Sequence, residues 1–170
     1  MINLKKVTDE TDSGYDRFTQ TAQKQAKQLH MTTTDVVEQT AEWAKLGYNI
    51  DQAAELAKNS MIYSKVGEVD NKTAVSDLVT SIKAFNIEAS DSIKIVDKLN
   101  ILGNKFSTAS ADLGGGLRVS SSALSAAGND INQTLALITG GTEIIQNASQ
   151  VGEALRTISM RIRGKKYASV

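Results

Sequence analysis

Not one of the 170 residues is a proline. Proline interrupts helices and shapes tight turns, so a chain without it carries no obligatory helix stop, and long helices are the natural way to order its backbone. Aromatic residues make up only 5%, which argues against a sandwich of short strands. The apolar spacing agrees. Tyr15, Phe18, Ala22, Ala26 and Leu29 recur at steps of three and four, on one face of a helix that ends near His30. Thr32, Thr33, Thr34 and Asp35 supply oxygens for an N-cap. Val36, Val37, Thr40, Trp43 and Ala44 then form a second stripe, over 35–46, that Gly47 can close in a left-handed conformation. Ala53, Leu56, Ala57, Ser60 and Met61 make a third stripe, Val75, Leu78, Val79, Ile82 and Phe85 a fourth, and Ile95, Leu99, Leu102 and Phe106 a fifth. Leu113, Leu117, Leu124 and Ala127 predict a helix over 109–127. The most regular stripe comes last: Ile144, Ala148, Val151, Leu155, Ile158 and Ile162 follow a heptad-like seam.

A weak repeat marks helix starts. GYNIDQAAEL (47–56), AFNIEASDSI (84–93) and GNDINQTLAL (128–137) each place a turn residue and an Ile before polar oxygens. This reads as a shared start device, with the Ile as a staple and the oxygens meeting free amides. The spacing is too uneven for a solenoid.

Charge is balanced overall but not locally. The first 155 residues carry 14 bases and 19 acids, and Arg156, Arg161, Arg163, Lys165 and Lys166 return the total to zero, with no acid after Glu153. No global basic field would draw the chain onto DNA or anionic lipid. The absence of cysteine removes disulfides, thiolate metal sites and thiol catalysis. Lys5 and Lys6 are followed by no apolar run, so no signal peptide is expected, and no stretch is apolar enough to span a bilayer.

The stretch VGEALRTISMRIRGKK (151–166) can be placed on a helical wheel. With Val151 at zero, Leu155, Ile158 and Ile162 fall within about 40°, Arg156 and Arg163 near 120–140°, and Arg161 near −80°. The arginines flank an apolar seam that looks destined for a core, in last turns where cations meet the helix dipole, and Gly164 offers a stop. Met160 points away from the seam and suggests a second contact surface. Arg156, Met160, Arg161 and Arg163 are therefore the candidate interaction surface.

Three stretches carry a family resemblance. Val66 to Asp70 (VGEVD) follows a helix and forms a small polar segment, Asp97 to Thr108 reads DKLNILGNKFST, and Leu155 to Gly164 reads LRTISMRIRG. In this order they resemble the core region of tail tape measure proteins of long-tailed bacteriophages and prophages. The similarity covers most of 32–164, and the first 30 residues match less clearly. It implies a structural function in tail assembly, tail length determination and genome ejection. In that role the protein is a scaffold and ruler for tail tube subunits, assisted by tail assembly chaperones, and is released ahead of the DNA. The implied location is the virion tail, and the host bacterial cytoplasm during assembly. Tape measure proteins are typically far longer than 170 residues, so an excised domain or a truncated remnant is expected, which alone cannot set tail length.

DLGGGLRV (112–119) departs from the family pattern. A glycine triplet inside a helix costs roughly 3 kcal/mol relative to alanine, so Gly114, Gly115 and Gly116 are the candidate hinge or kink, with close backbone packing as the gain. A phosphate-binding loop is disfavoured because no Gly-Lys-Ser/Thr follows.

Enzymatic readings find little support. His30 sits at a helix end, the pairs Glu88 with Asp91 and Asp51 with Glu55 sit at helix starts where they complement the dipole, and no serine lies in a nucleophile elbow. Asp9, Glu10, Asp12 and Asp16 lack the spacing of a calcium loop. No cofactor, metal or small-molecule substrate is expected.

The sequence therefore predicts an all-α chain of about seven helices packed as antiparallel helical hairpins in a bundle. Residues 1–31 form an N-terminal helix packed on or linked to the core, 32–164 the core domain, and 165–170 a basic tail. Tail tube subunits and tail assembly chaperones are the partners implied by the resemblance, with a second copy of the chain as a further candidate. The alternatives are a helical adaptor of a cellular complex and a weak nucleic-acid-binding helical module.

Overall fold

The computed structural model describes residues 2–106 and 108–167, without the side chains of 2–3 and 165–167. A four-residue turn, α1 (Ile2–Lys5), precedes eight helices of 13 residues or more: α2 (Asp12–Leu29), α3 (Thr33–Lys45), α4 (Ile50–Val66), α5 (Asn71–Phe85), α6 (Ser92–Lys105), α7 (Ser110–Ala126), α8 (Ile131–Ile145) and α9 (Ala148–Tyr167). A 3-10 turn over Ala89–Asp91 leads into α6, and no strand occurs among the described residues.

Local chemistry explains most boundaries. Thr32 and Asp35 form a reciprocal capping box at the start of α3, as do Asn49 with Gln52 for α4 and Asp130 with Gln133 for α8. At 47–56 and 128–137 the Ile of the expected device, Ile50 and Ile131, is buried, but the capping oxygens come from Asn49 and Asp130 before it rather than from Asp51 and Asn132 after it. At 84–93 the outcome differs. Asn86 there ends α5 in a left-handed conformation (φ 51°), a conformation asparagine tolerates, and the next turn is 3-10. Gly47, at φ 92°, closes the turn after α3 as its sequence position predicts.

The expected seventh helix begins at Ala148, and a further helix, α8, occupies Ile131–Ile145, where only a start device was read. Gln146 turns left-handed at φ 58°, and the Asn147 side chain accepts from the Gln150 amide at 2.9 Å, so one helix stops and another starts inside the heptad-like stripe. Ile144 belongs to α8 and is 85% exposed. The count rises by one because Ile131, Leu135 and Ile138 were not read as a stripe of their own, and the end of α8 was assigned to the seam.

The stripes of α2 to α7 supply the core, with Phe18, Trp43, Leu56, Met61, Leu78, Leu99, Leu113 and Leu117 buried. Two buried polar pairs join helices across the core: Trp43 Nε1 donates to Ser60 Oγ at 3.2 Å, and Asn59 Nδ2 to Ser92 Oγ at 2.8 Å. Consecutive helices touch, but the two most extensive contacts, α7 with α9 and α5 with α7, join helices that are not neighbours in sequence. Helix α7 is the axis of the C-terminal half.

Candidate functional site

The α7/α9 contact decides which side of α9 remains free. Helix α7 runs unbroken through Gly114, Gly115 and Gly116, all buried, so the triplet causes no break in the helix. Its glycines answer to three different neighbours. A Cβ on Gly114 would lie 2.0 Å from Tyr63 Oη, one on Gly115 3.1 Å from Ser149 Oγ, and one on Gly116 2.9 Å from the Ala148 carbonyl. From the other side, a Cβ on Gly152 would sit 2.7 Å from the Gly116 carbonyl. Two helix backbones meet here almost directly, and the dispersion gained offsets the low helix propensity of glycine.

The close approach rotates α9 away from its expected orientation. Its buried positions are Ala148, Val151, Gly152 and Ser159, an arc centred about 60° from the apolar seam by helical geometry. Ile158 and Ile162, expected in the core, are 52% and 62% exposed. The small residues won because only they admit a second backbone. Met160 is 54% exposed, and Arg156, Arg161 and Arg163 are exposed and form no ion pair among the described residues. The distal half of α9 is thus a basic helix with isoleucines on its surface. Helix α9 also continues past Gly164 to Tyr167, so that glycine is not its stop. The side chains of Lys165 and Lys166, and residues 168–170 of the expected basic tail, lie outside the described residues.

A second cluster escaped the sequence reading. Asp77 on α5 is 2% exposed, with Oδ1 3.2 Å from Arg118 Nε in an ionic contact and Oδ2 3.3 Å from Tyr63 Oη. Burial pushes the Asp77 carboxyl up to about 6, against the pull of Arg118 and the Tyr63 hydroxyl. Burial, then the Asp77 charge, raises the Tyr63 hydroxyl as well. Gly114 leaves the space that Tyr63 Oη fills, so the cluster ties α4, α5 and α7 together. Periodicity did not mark it: Asp77 stands off the apolar stripe of α5, on the side where Ala74 and Ser81 are buried.

The remaining candidates stay apart. His30 is an exposed left-handed cap of α2, and Asp91 pairs with Lys94 at 2.8 Å. Asp51 and Glu55 rim a shallow groove with Phe18 and Gln25. The acidic run beginning at Asp9 does not converge, and no group of three or more potential metal ligands occurs among the described residues. No helix among them is long and apolar enough to cross a membrane.

No solved structure matches the chain. A family model described as phage-related minor tail protein matches residues 19–169, from α2 through the whole of α9. By that match over most of its length, the chain belongs to the phage-related minor tail protein family.

Proposed function

We propose that the chain is a non-catalytic structural segment of a phage tail tape measure protein. It acts as part of a longer polypeptide in tail assembly, in setting tail length and in genome ejection. The observation that carries this reading is the distal half of α9. Its Arg156, Met160, Arg161 and Arg163 are exposed beside free isoleucines, on the last and longest helix of a chain matched by a tail protein family. Exposed apolar surface with cationic neighbours suits docking against other proteins rather than chemistry on a small molecule. Tail tube subunits and tail assembly chaperones are the partners this role requires, in the host cytoplasm during assembly and in the virion tail afterwards.

Electron microscopy of lysates from the encoding phage tests the proposal. An in-frame deletion of 19–164 should abolish tails of normal length, and normal tails from that phage would overturn the tape measure role. Alanine at Arg156, Met160, Arg161 and Arg163 together should reduce tail yield. Unchanged yield and length would remove those residues as the contact surface.

A further inference from the structure

The free isoleucines of α9 continue onto α8. These helices are joined by Gln146 and Asn147 alone, and a Cβ on Gly141 would lie 2.6 Å from Val151 Cγ1, so they form an antiparallel hairpin. On α8, Leu137, Gly140 and Ile144 lie about 40°, 100° and 60° from Gly141, all on the side opposite Ile138 and the core. On α9, Ala154, Ile158 and Arg161 lie about 60°, 20° and 80° from Val151, again away from the core. Because the helices run in opposite directions, the two sets fall on the same outer side of the hairpin. Leu137 is 45% exposed, Ile144 85% and Ile158 52%. One face therefore gathers much of the exposed apolar surface of the C-terminal half.

Gly140 adds an independent observation. It lies inside α8, and a Cβ there would meet nothing within 4 Å. A helix-interior glycine costs about 1 kcal/mol relative to alanine. At Gly114 and Gly116 close neighbours offset that cost, whereas at Gly140 nothing among the described residues does. The outer side of α8 at Gly140 therefore has room for the close approach of another backbone.

Charge identifies the occupant. Helices α2 to α6 each carry a lysine in the last turn, whereas α7 and α8 have none, and α8 in addition holds Glu143 near its C-terminal end. The negative end of its dipole has no cation of its own. Distal α9 has the opposite character, with Arg156, Arg161 and Arg163 and no acid. The chain carries both halves of a complementary pair on one face.

We propose that the outer face of the α8/α9 hairpin binds a second copy of this chain through a twofold interface centred on Gly140. The axis lies in the interface, perpendicular to α8, and lays each α8 antiparallel on its counterpart. Leu137 meets Ile144 of the second copy, and Arg161 reaches the C-terminal end of the second copy's α8 near Glu143. Such a contact is isologous and closes at two subunits. The interface goes beyond the tail role proposed above and does not require it.

Sedimentation equilibrium of the 170-residue chain over a concentration series at low salt tests it, with far-UV circular dichroism confirming that each variant is folded. A monomer–dimer equilibrium is expected, and Leu137→Glu and Ile144→Glu should each raise its dissociation constant about tenfold or more. Arg161→Glu and Glu143→Arg should each weaken the dimer, and the double exchange should restore it. These four positions are exposed, so folding survives the changes. A chain still monomeric at about 200 µM, an oligomer without twofold symmetry, or a dimer indifferent to these variants would overturn the proposal.

Discussion

Single residues in this chain take their meaning from what stands opposite them, and glycine shows this most clearly. Gly114→Ala puts a methyl group 2.0 Å from Tyr63 Oη and 2.7 Å from Asp77 Oδ2. It should lower stability by about 1–3 kcal/mol, because forced displacement in a packed core exceeds the gain in helix propensity. Urea unfolding of the variant is the check. Asp77 supplies a second expectation, with its sign fixed by burial. Its folded pKa stands at about 6 against an ordinary 3.8, so its contribution is complete below about pH 4 and is lost as pH rises through 6. Asp77→Asn removes that loss. The difference in unfolding free energy between variant and wild type should move in the variant's favour by up to roughly 3 kcal/mol between about pH 4 and pH 7.5. A difference that stays flat would mean that Arg118 holds the carboxylate ionised without cost. Asp35 and Asp70, held low by the Thr32 and Thr73 side chains, act in the opposite sense as pH falls through their own lowered values. They are common to both proteins and cancel. Close packing was the expected gain of the glycine triplet, but its partners, like those of Asp77, could not be read from sequence, since each stands on another helix.

Helices were legible wherever their signals are local. Caps at Thr32 and Gly47, and apolar stripes from Tyr15 to Leu117, need only neighbours within one or two turns, and the structure places them as the spacing predicts. Asp130 is one such device, accepting from the amides of Asn132 at 2.7 Å and Gln133 at 2.8 Å. Asp130→Ala should therefore cost about 1 kcal/mol, seen as a lower thermal midpoint. The orientation of α9 was illegible for a physical reason. Periodicity ranks faces by hydrophobicity, whereas α7 chose the face by size, and Ala148, Gly152 and Ser159 outcompeted Ile158 and Ile162 for burial. The same blindness assigned the end of α8 to α9, because a left-handed glutamine leaves no mark on an apolar stripe. Gly140→Ala probes the uncovered side of α8. With nothing within 4 Å of the new methyl group, it should raise the stability of the monomer by up to about 1 kcal/mol, the reverse of Gly114→Ala.

For the molecule as a whole, the all-helical class follows from missing proline, scarce aromatics and a 3.6-residue period, and membership of a phage tail protein family follows from stretches that span most of the chain. The candidate surface was half legible. Arg156, Met160, Arg161 and Arg163 are exposed as their wheel positions implied, but the isoleucines beside them were assigned to a core they do not enter. A basic helix end also makes a whole-chain expectation testable. Binding to DNA through three to five cations would weaken with salt at a slope of about −3 to −5 on logarithmic axes, whereas protein docking through Ile158, Ile162 and Met160 would be far less sensitive. Titration against duplex DNA from low to physiological salt should give only weak, fully screened binding, and tight binding at physiological salt would favour a nucleic-acid partner.

The meeting of Gly116 with Gly152 has an evolutionary corollary. Elsewhere in the core, a larger side chain on one helix can be accommodated by a smaller one opposite, and volume is traded over successive substitutions. At this crossing both partners already carry the smallest side chain there is, so neither has an atom to give up. Change at either position runs in one direction only, toward bulk, and no second-site substitution across the contact compensates for it. The crossing of α7 and α9 is therefore a fixed point around which the rest of the sequence is free to diverge.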